Sequence, residues 1–120
     1  MVISHLLFVE NMKTILLLSI SNIFMTFAWY GHLKFKEVAL WKVILISWLI
    51  AFVEYCFMVP ANRIGSEQFS TAQLKTIQEV ITLVVFSLFS TLYLREEMKW
   101  NYAVGFLFII GAVFFVFKKW

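Results

Sequence analysis

Two carboxylates fall inside long apolar runs of this sequence. Glu54 lies in the run 40–59 and Glu79 in the run 71–94. Ionisable side chains at membrane depth are costly, and they mark proton or substrate paths. Pro60 cannot continue a helix without losing a backbone bond, so it reads as the end of the second run. Glu54 precedes it by six residues, roughly 9 Å at 1.5 Å per residue. Glu79 follows the start of the third run by eight or nine residues, roughly 13 Å. One loop joins these runs, so both depths are measured from the same face and are similar. Two neighbouring carboxylates in a dry setting can hold one shared proton near neutral pH. Such a pair can exchange its proton for a cation or bind a basic substrate. The plainer alternative is ion pairing. Lys75 stands four residues before Glu79, one turn away on the same face, and Arg63 could reach back towards Glu54.

Other polar residues are arranged to support such a site. In the third run Lys75, Glu79, Thr82 and Ser90 fall near one helical face, and Gln78, Ser87 and Thr91 widen it. The first apolar run carries Ser19, Asn22 and Thr26. Facing stripes of this kind line a water-accessible cavity or else bond helices together, at about 0.6 kcal/mol per contact. Asn62 and Arg63, just beyond Pro60, are placed to gate or neutralise the site. Trp48 and Tyr55, seven residues apart on one helical face, are candidates for its wall, where a lipophilic cation could rest on aromatic rings.

Enzyme chemistry finds no foothold. The chain has no nucleophile elbow, P-loop or dinucleotide fingerprint. His32 reads as an interfacial residue. Cys56 is the one cysteine, so there is no thiol cluster for a metal and no intrachain disulfide. Neither a cofactor nor a metal is expected.

The elements that must position these residues follow from composition. The chain has 120 residues, of which 62% are hydrophobic and 14% charged. A soluble domain of that size could not hide so much apolar surface, whereas a bilayer solvates it. A span needs roughly 20 mostly apolar residues. Four fit, at about 14–30, 40–59, 71–94 and 100–117. The expected fold is an all-α, integral membrane four-helix bundle, formed as a single transmembrane domain over 12–120. Residues 1–11 read as an N-terminal extension, with Met12 rather than Met1 as the working start. Ser70 and Gln73 form a capping-box pattern that starts the third span. Trp29, Tyr30, Trp41, Trp100 and the closing Lys118-Lys119-Trp120 suit membrane interfaces.

The basic residues divide equally between the two sides. Lys13, Arg63, Lys75, Lys118 and Lys119 lie on one; Lys34, Lys36, Lys42, Arg95 and Lys99 lie on the other. Loop Lys/Arg asymmetry normally sets orientation, and here it gives no instruction. Dual topology and pairing with an inverted copy follow, an architecture common among secondary transporters. The net charge of +3 sits at span ends, where it meets lipid headgroups rather than nucleic acid.

The stretch from Leu94-Arg95-Glu96-Glu97-Met98-Lys99 through Gly105 to Gly111-Ala112-Val113 resembles the last hairpin of the drug/metabolite transporter superfamily. Glu96 at a tight turn and Gly105 match that pattern; Ala112 replaces the usual second glycine, with Gly111 one position earlier. With Phe27-Ala28-Trp29-Tyr30-Gly31-His32, Val59-Pro60-Ala61-Asn62-Arg63-Ile64-Gly65 and Gln73-Leu74-Lys75-Thr76-Ile77-Gln78-Glu79-Val80, the whole chain resembles a four-span family of unknown function in that superfamily. The resemblance implies a fold like the small multidrug resistance exporters. It also implies an antiparallel homodimer paired through the fourth span at Gly105, Gly111 and Ala112, in the inner (plasma) membrane of a bacterium. Those exporters keep their working carboxylate in the first span. This chain has none there, so any coupling falls to Glu54 or Glu79.

The reading is a small secondary transporter for a small metabolite or cation. Proton coupling would run through the intramembrane glutamates. A dimeric ion channel and a non-transporting membrane assembly subunit are the alternatives. A channel needs polar pore-lining residues but no titrating carboxylate.

Overall fold

The computed structural model describes residues 2–118. Four α-helices follow one another: α1 (Val2–Tyr30), α2 (Leu40–Gly65), α3 (Thr71–Leu92) and α4 (Trp100–Phe117). A single 3₁₀ turn, Gly31–Lys34, follows α1. All four helices are long and apolar enough to cross a membrane, and no strand occurs among the described residues. The chain is an all-α, four-span bundle. Met1, Lys119 and Trp120 lie outside the described residues. Met1 as a start and the last part of the terminal anchor fall there.

Local signals set some of the boundaries. The Ser70 hydroxyl accepts the Gln73 backbone N–H at 3.2 Å, and the Gln73 side-chain oxygen accepts the Ser70 N–H at 3.0 Å. Two of the orphan donors at the start of α3 are thereby satisfied. α3 stops at Leu92, two residues before the expected end. The Tyr93 and Leu94 N–H groups both turn to the Phe89 carbonyl, and Arg95 takes a left-handed φ of 58°. The turn is tied back by Glu96, whose N–H donates to the Ser90 carbonyl at 2.9 Å and whose carboxylate accepts the Ser90 hydroxyl at 3.1 Å.

One boundary differs from expectation because packing outweighs a local signal. α2 does not end at Pro60; it runs on to Gly65. Proline costs the helix one hydrogen bond, but the turn beyond it is held by tertiary contact. Ala61 is fully buried, and Gly65 lies so close to α1 and α3 that a Cβ there would meet Leu74 Cδ2 at 2.6 Å and Thr14 Cγ2 at 2.8 Å. Residues 2–11 are helical and continuous with the first span. They continue α1 as one helix past the level of Gly65.

α1 is the central helix and packs on both α2 and α3. Its inward positions are Thr14, Leu18, Ser21, Asn22, Thr26 and Ala28. With Glu54 and Ala61 of α2, and Leu74, Phe89 and Ser90 of α3, they form an interior that is as polar as it is apolar. In lipid this is the stable arrangement. Hydrocarbon solvates the apolar faces, while polar groups must find partners inside. One end of the interior is filled by rings: Phe27 lies 5.1 Å from Phe89 and 5.3 Å from Tyr93, and Tyr30 lies 5.0 Å from Phe86. α4 packs only against α3 to any extent and buries no residue.

Candidate functional site

The polar interior is built on α1. Thr14, Ser21 and Ala28 recur every seven residues, and Leu18, Asn22 and Thr26 every four, so the two rows run side by side along one helical face. Ser21 donates its hydroxyl to Glu54 Oε1 at 2.8 Å, which ties α1 to α2. Asn22 donates to the Leu18 carbonyl at 2.7 Å, and its own side-chain oxygen accepts the hydroxyl of Thr82, which ties α1 to α3. The Thr26 hydroxyl donates to the Asn22 carbonyl at 2.7 Å. Nearer the α2–α3 loop, Gln78 donates to Asn62 Oδ1 at 2.8 Å and ties α2 to α3. Every pair among the three helices thus carries one side-chain cross-link.

Glu54 is 4% exposed and bonded to a neutral hydroxyl. Among the described residues it makes no ion pair. Burying a charge without a counter-charge is expensive, which is why the position points to use.

The expected carboxylate pair does not form. The rise along each helix keeps Glu54 and Glu79 at comparable depth, roughly 16 Å and 12 Å from the α2–α3 loop. Their faces differ. Gln78 and Thr82 point inward, so Glu79 points out, with its side chain 52% exposed and bonded to Lys75 Nζ at 2.9 Å. The ion-pair alternative therefore holds for Glu79. It fails for Glu54, because Arg63 lies nine residues further along α2, roughly 13 Å away along the axis.

Trp48 and Tyr55 lie on the outer surface of α2. They are 61% and 65% exposed, whereas Glu54 on the same helix faces inward. The stripe expected on α3 divides: Gln78, Thr82 and Ser90 turn inward, Lys75 and Glu79 outward. Asn22 is central: its amide is fully buried, it bonds the Leu18 carbonyl within α1, and it accepts from Thr82 across to α3. Ser21 was missed by the sequence reading, which followed Ser19, Asn22 and Thr26. Ser19 instead donates to its own helix, to the Ile15 carbonyl at 2.8 Å. The seven-residue spacing from Thr14 to Ser21 to Ala28 is the signal that would have found Ser21.

Asn62, Arg63, Lys75 and Gln78 do come together. They line a cavity of about 490 Å³ at the α2–α3 loop end of the bundle, with Thr71 and Ser66 beside them. Glu54 lines none of the described cavities. On α4, Ala112 is exposed, and a Cβ added to Gly105 or Gly111 would meet nothing within 4 Å. No group of three metal-ligating side chains is gathered among the described residues.

Comparison with known proteins agrees with this architecture. The family model DMT_6, described as "Putative member of DMT superfamily (DUF486)", matches residues 14–117. No curated protein and no solved structure matches.

Proposed function

The chain belongs to the DMT_6 family, and from that premise we propose that it is a small secondary transporter centred on Glu54. It is an integral, multi-pass membrane protein. In the proposed cycle Glu54 exchanges a proton for a small metabolite or cation as the bundle opens alternately to each side. Ser21 orients the carboxyl, and the Asn22–Thr82 contact breaks or re-forms as α1 moves against α3. Glu79 takes no part, because Lys75 already holds it at the surface. The observation that carries this reading is a buried carboxyl on a spanning helix with a hydroxyl partner and no counter-charge among the described residues.

The working unit in this proposal is an antiparallel homodimer in a bacterial inner membrane, paired through α4. Equal loop charge supports both orientations, and open space at Gly105 and Gly111 supports close approach of a second backbone. A C-terminal reporter should be found on both sides of the membrane, and two added loop lysines should bias it to one. A reporter confined to one side in the unaltered chain overturns dual topology.

Transport is tested in proteoliposomes carrying a pH gradient, with a panel of small basic and neutral metabolites. Gradient-driven flux should vanish in Glu54→Gln and persist in Glu79→Gln. Equal flux by both variants at every pH would move the site away from Glu54. Flux that ignores the proton gradient would favour the channel reading.

A further inference from the structure

The cavity at the α2–α3 loop end is separate from the Glu54 centre and has its own chemistry. Arg63 and Lys75 both line it, and no carboxylate does. Arg63 makes no ion pair among the described residues. The amides of Asn62 and Gln78 sit beside the two cations, and Thr71, also on the wall, is the first residue of the 22-residue helix α3. The positive end of that helix dipole therefore adds to the two side-chain charges. Val59 and Leu74 complete the lining on the apolar side. The cavity lies where two spans end, at the level of the membrane interface.

The opposite end offers a contrast. There a cavity of about 470 Å³ is lined by Lys34, Lys36 and Arg95, but Glu96 stands among them. Lys34 is also engaged over the Tyr93 ring, 4.4 Å from its centroid. A negative charge stands on the wall at that end, whereas no carboxylate lines the cavity of Arg63 and Lys75, and only Lys75 has an internal partner, Glu79.

We infer that the cavity between the ends of α2 and α3 binds a phosphate-type anion, with the Arg63 fork and the Lys75 ammonium as its charged contacts. Guanidinium geometry suits two phosphate oxygens at once, and an ammonium adds a point charge. The anion is either the headgroup of an acidic phospholipid, whose acyl chains would run down past Val59, or a free phosphate group from the aqueous side. This site does not depend on the transport reading. Its readout is binding rather than flux, so either idea can fail alone.

The test uses the full chain in nanodiscs. In one arm the discs contain phosphatidylglycerol in phosphatidylcholine, and retained lipids are counted by native mass spectrometry. In the other, discs of phosphatidylcholine alone are titrated with inorganic phosphate and followed by ³¹P NMR. Retention of phosphatidylglycerol that drops at least tenfold in the double variant Arg63→Gln/Lys75→Gln, and not in Lys42→Gln, supports the site with a lipid headgroup as occupant. Phosphate binding that shows the same dependence, without lipid retention, supports it with a soluble anion. Neither anion binding, or both binding equally to the double variant, overturns it.

Glu79→Gln guards against a double variant that fails to fold. It frees Lys75 from its 2.9 Å ion pair and should tighten anion binding at least twofold. Unchanged or weaker binding overturns the assignment. Binding by the unaltered chain should also fall steeply with ionic strength, as an interfacial charge contact must, and salt-insensitive binding is equally fatal.

Discussion

The three-helix unit α1–α3 and the single helix α4 solve opposite problems. α1 is interrupted by Thr14, Ser21, Asn22 and Thr26, yet all four are buried. α4 is apolar almost throughout, yet buries nothing. In water the order would be reversed, with the apolar helix at the centre. In a bilayer apolar surface gains little by leaving lipid for protein, so helix contacts rest on close packing and hydrogen bonds. Polar residues therefore reveal which spans belong together within this chain. The apolar span is left to meet lipid or another copy. The glycines repeat the contrast. Gly65 is wedged against Thr14 and Leu74, while Gly105 and Gly111 face open space.

The strongest way to break this comparison is to fill both kinds of glycine. Gly65→Val should cost about 2–3 kcal/mol through overpacking, because Thr14 is fully buried and has no room to retreat. Gly105→Val should leave protomer stability within about 0.5 kcal/mol but reduce self-association. Reversible unfolding in mixed micelles measures the first, and crosslinking of tagged copies in membranes the second. If Gly105→Val unfolds the protomer as badly as Gly65→Val, α4 is part of the core and the division is false.

Next in size is the centre of the unit. Asn22→Ala removes the contact with Thr82 and a donor to the Leu18 carbonyl, and should cost about 1–2 kcal/mol by the same unfolding measurement. Ser21→Ala should cost less, about 1 kcal/mol, and slow transport through Glu54. Ser19→Ala, two residues away, should cost close to nothing, because its hydroxyl serves only its own helix. An equal cost for Ser19 and Ser21 would mean that the cross-link to Glu54 contributes no stability.

Much of this was legible in the sequence, because the bilayer imposes length and composition on every span. The start of α3 was readable to the residue, since Ser70 and Gln73 carry a local cap. The end of α2 was not. Pro60 is a strong local stop, and only the fit of Ala61 and Gly65 against other helices overrides it. The same limit explains the site. Depth follows from counting residues, so Glu54 and Glu79 could be set at comparable levels. Direction needs the neighbouring helices, and one step around the turn separates the inward Gln78 from the outward Glu79. The α2–α3 loop end gathered Asn62, Arg63, Lys75 and Gln78 because the two span ends are joined by a short loop. Their separation from Glu54 could be seen only once α2 was known to continue past Pro60.

The smallest effect expected of an ion pair is the most pointed, because it concerns the carboxylate that the structure places on the outer face. Glu79→Ala removes an exposed i, i+4 partner of Lys75. Pairs of this kind contribute about 0.3–0.5 kcal/mol, and salt weakens them. Unfolding should therefore shift by no more than that, and the shift should shrink at high ionic strength. A carboxylate facing Glu54 would behave differently. Its removal would relieve a like-charge contact in a dry interior, and the chain would become more stable by a margin that salt could not screen. A small, salt-sensitive loss of stability thus keeps Glu79 on the outer face. A salt-independent gain would return it to the centre beside Glu54, and the separation of a buried carboxyl from a surface ion pair would no longer stand.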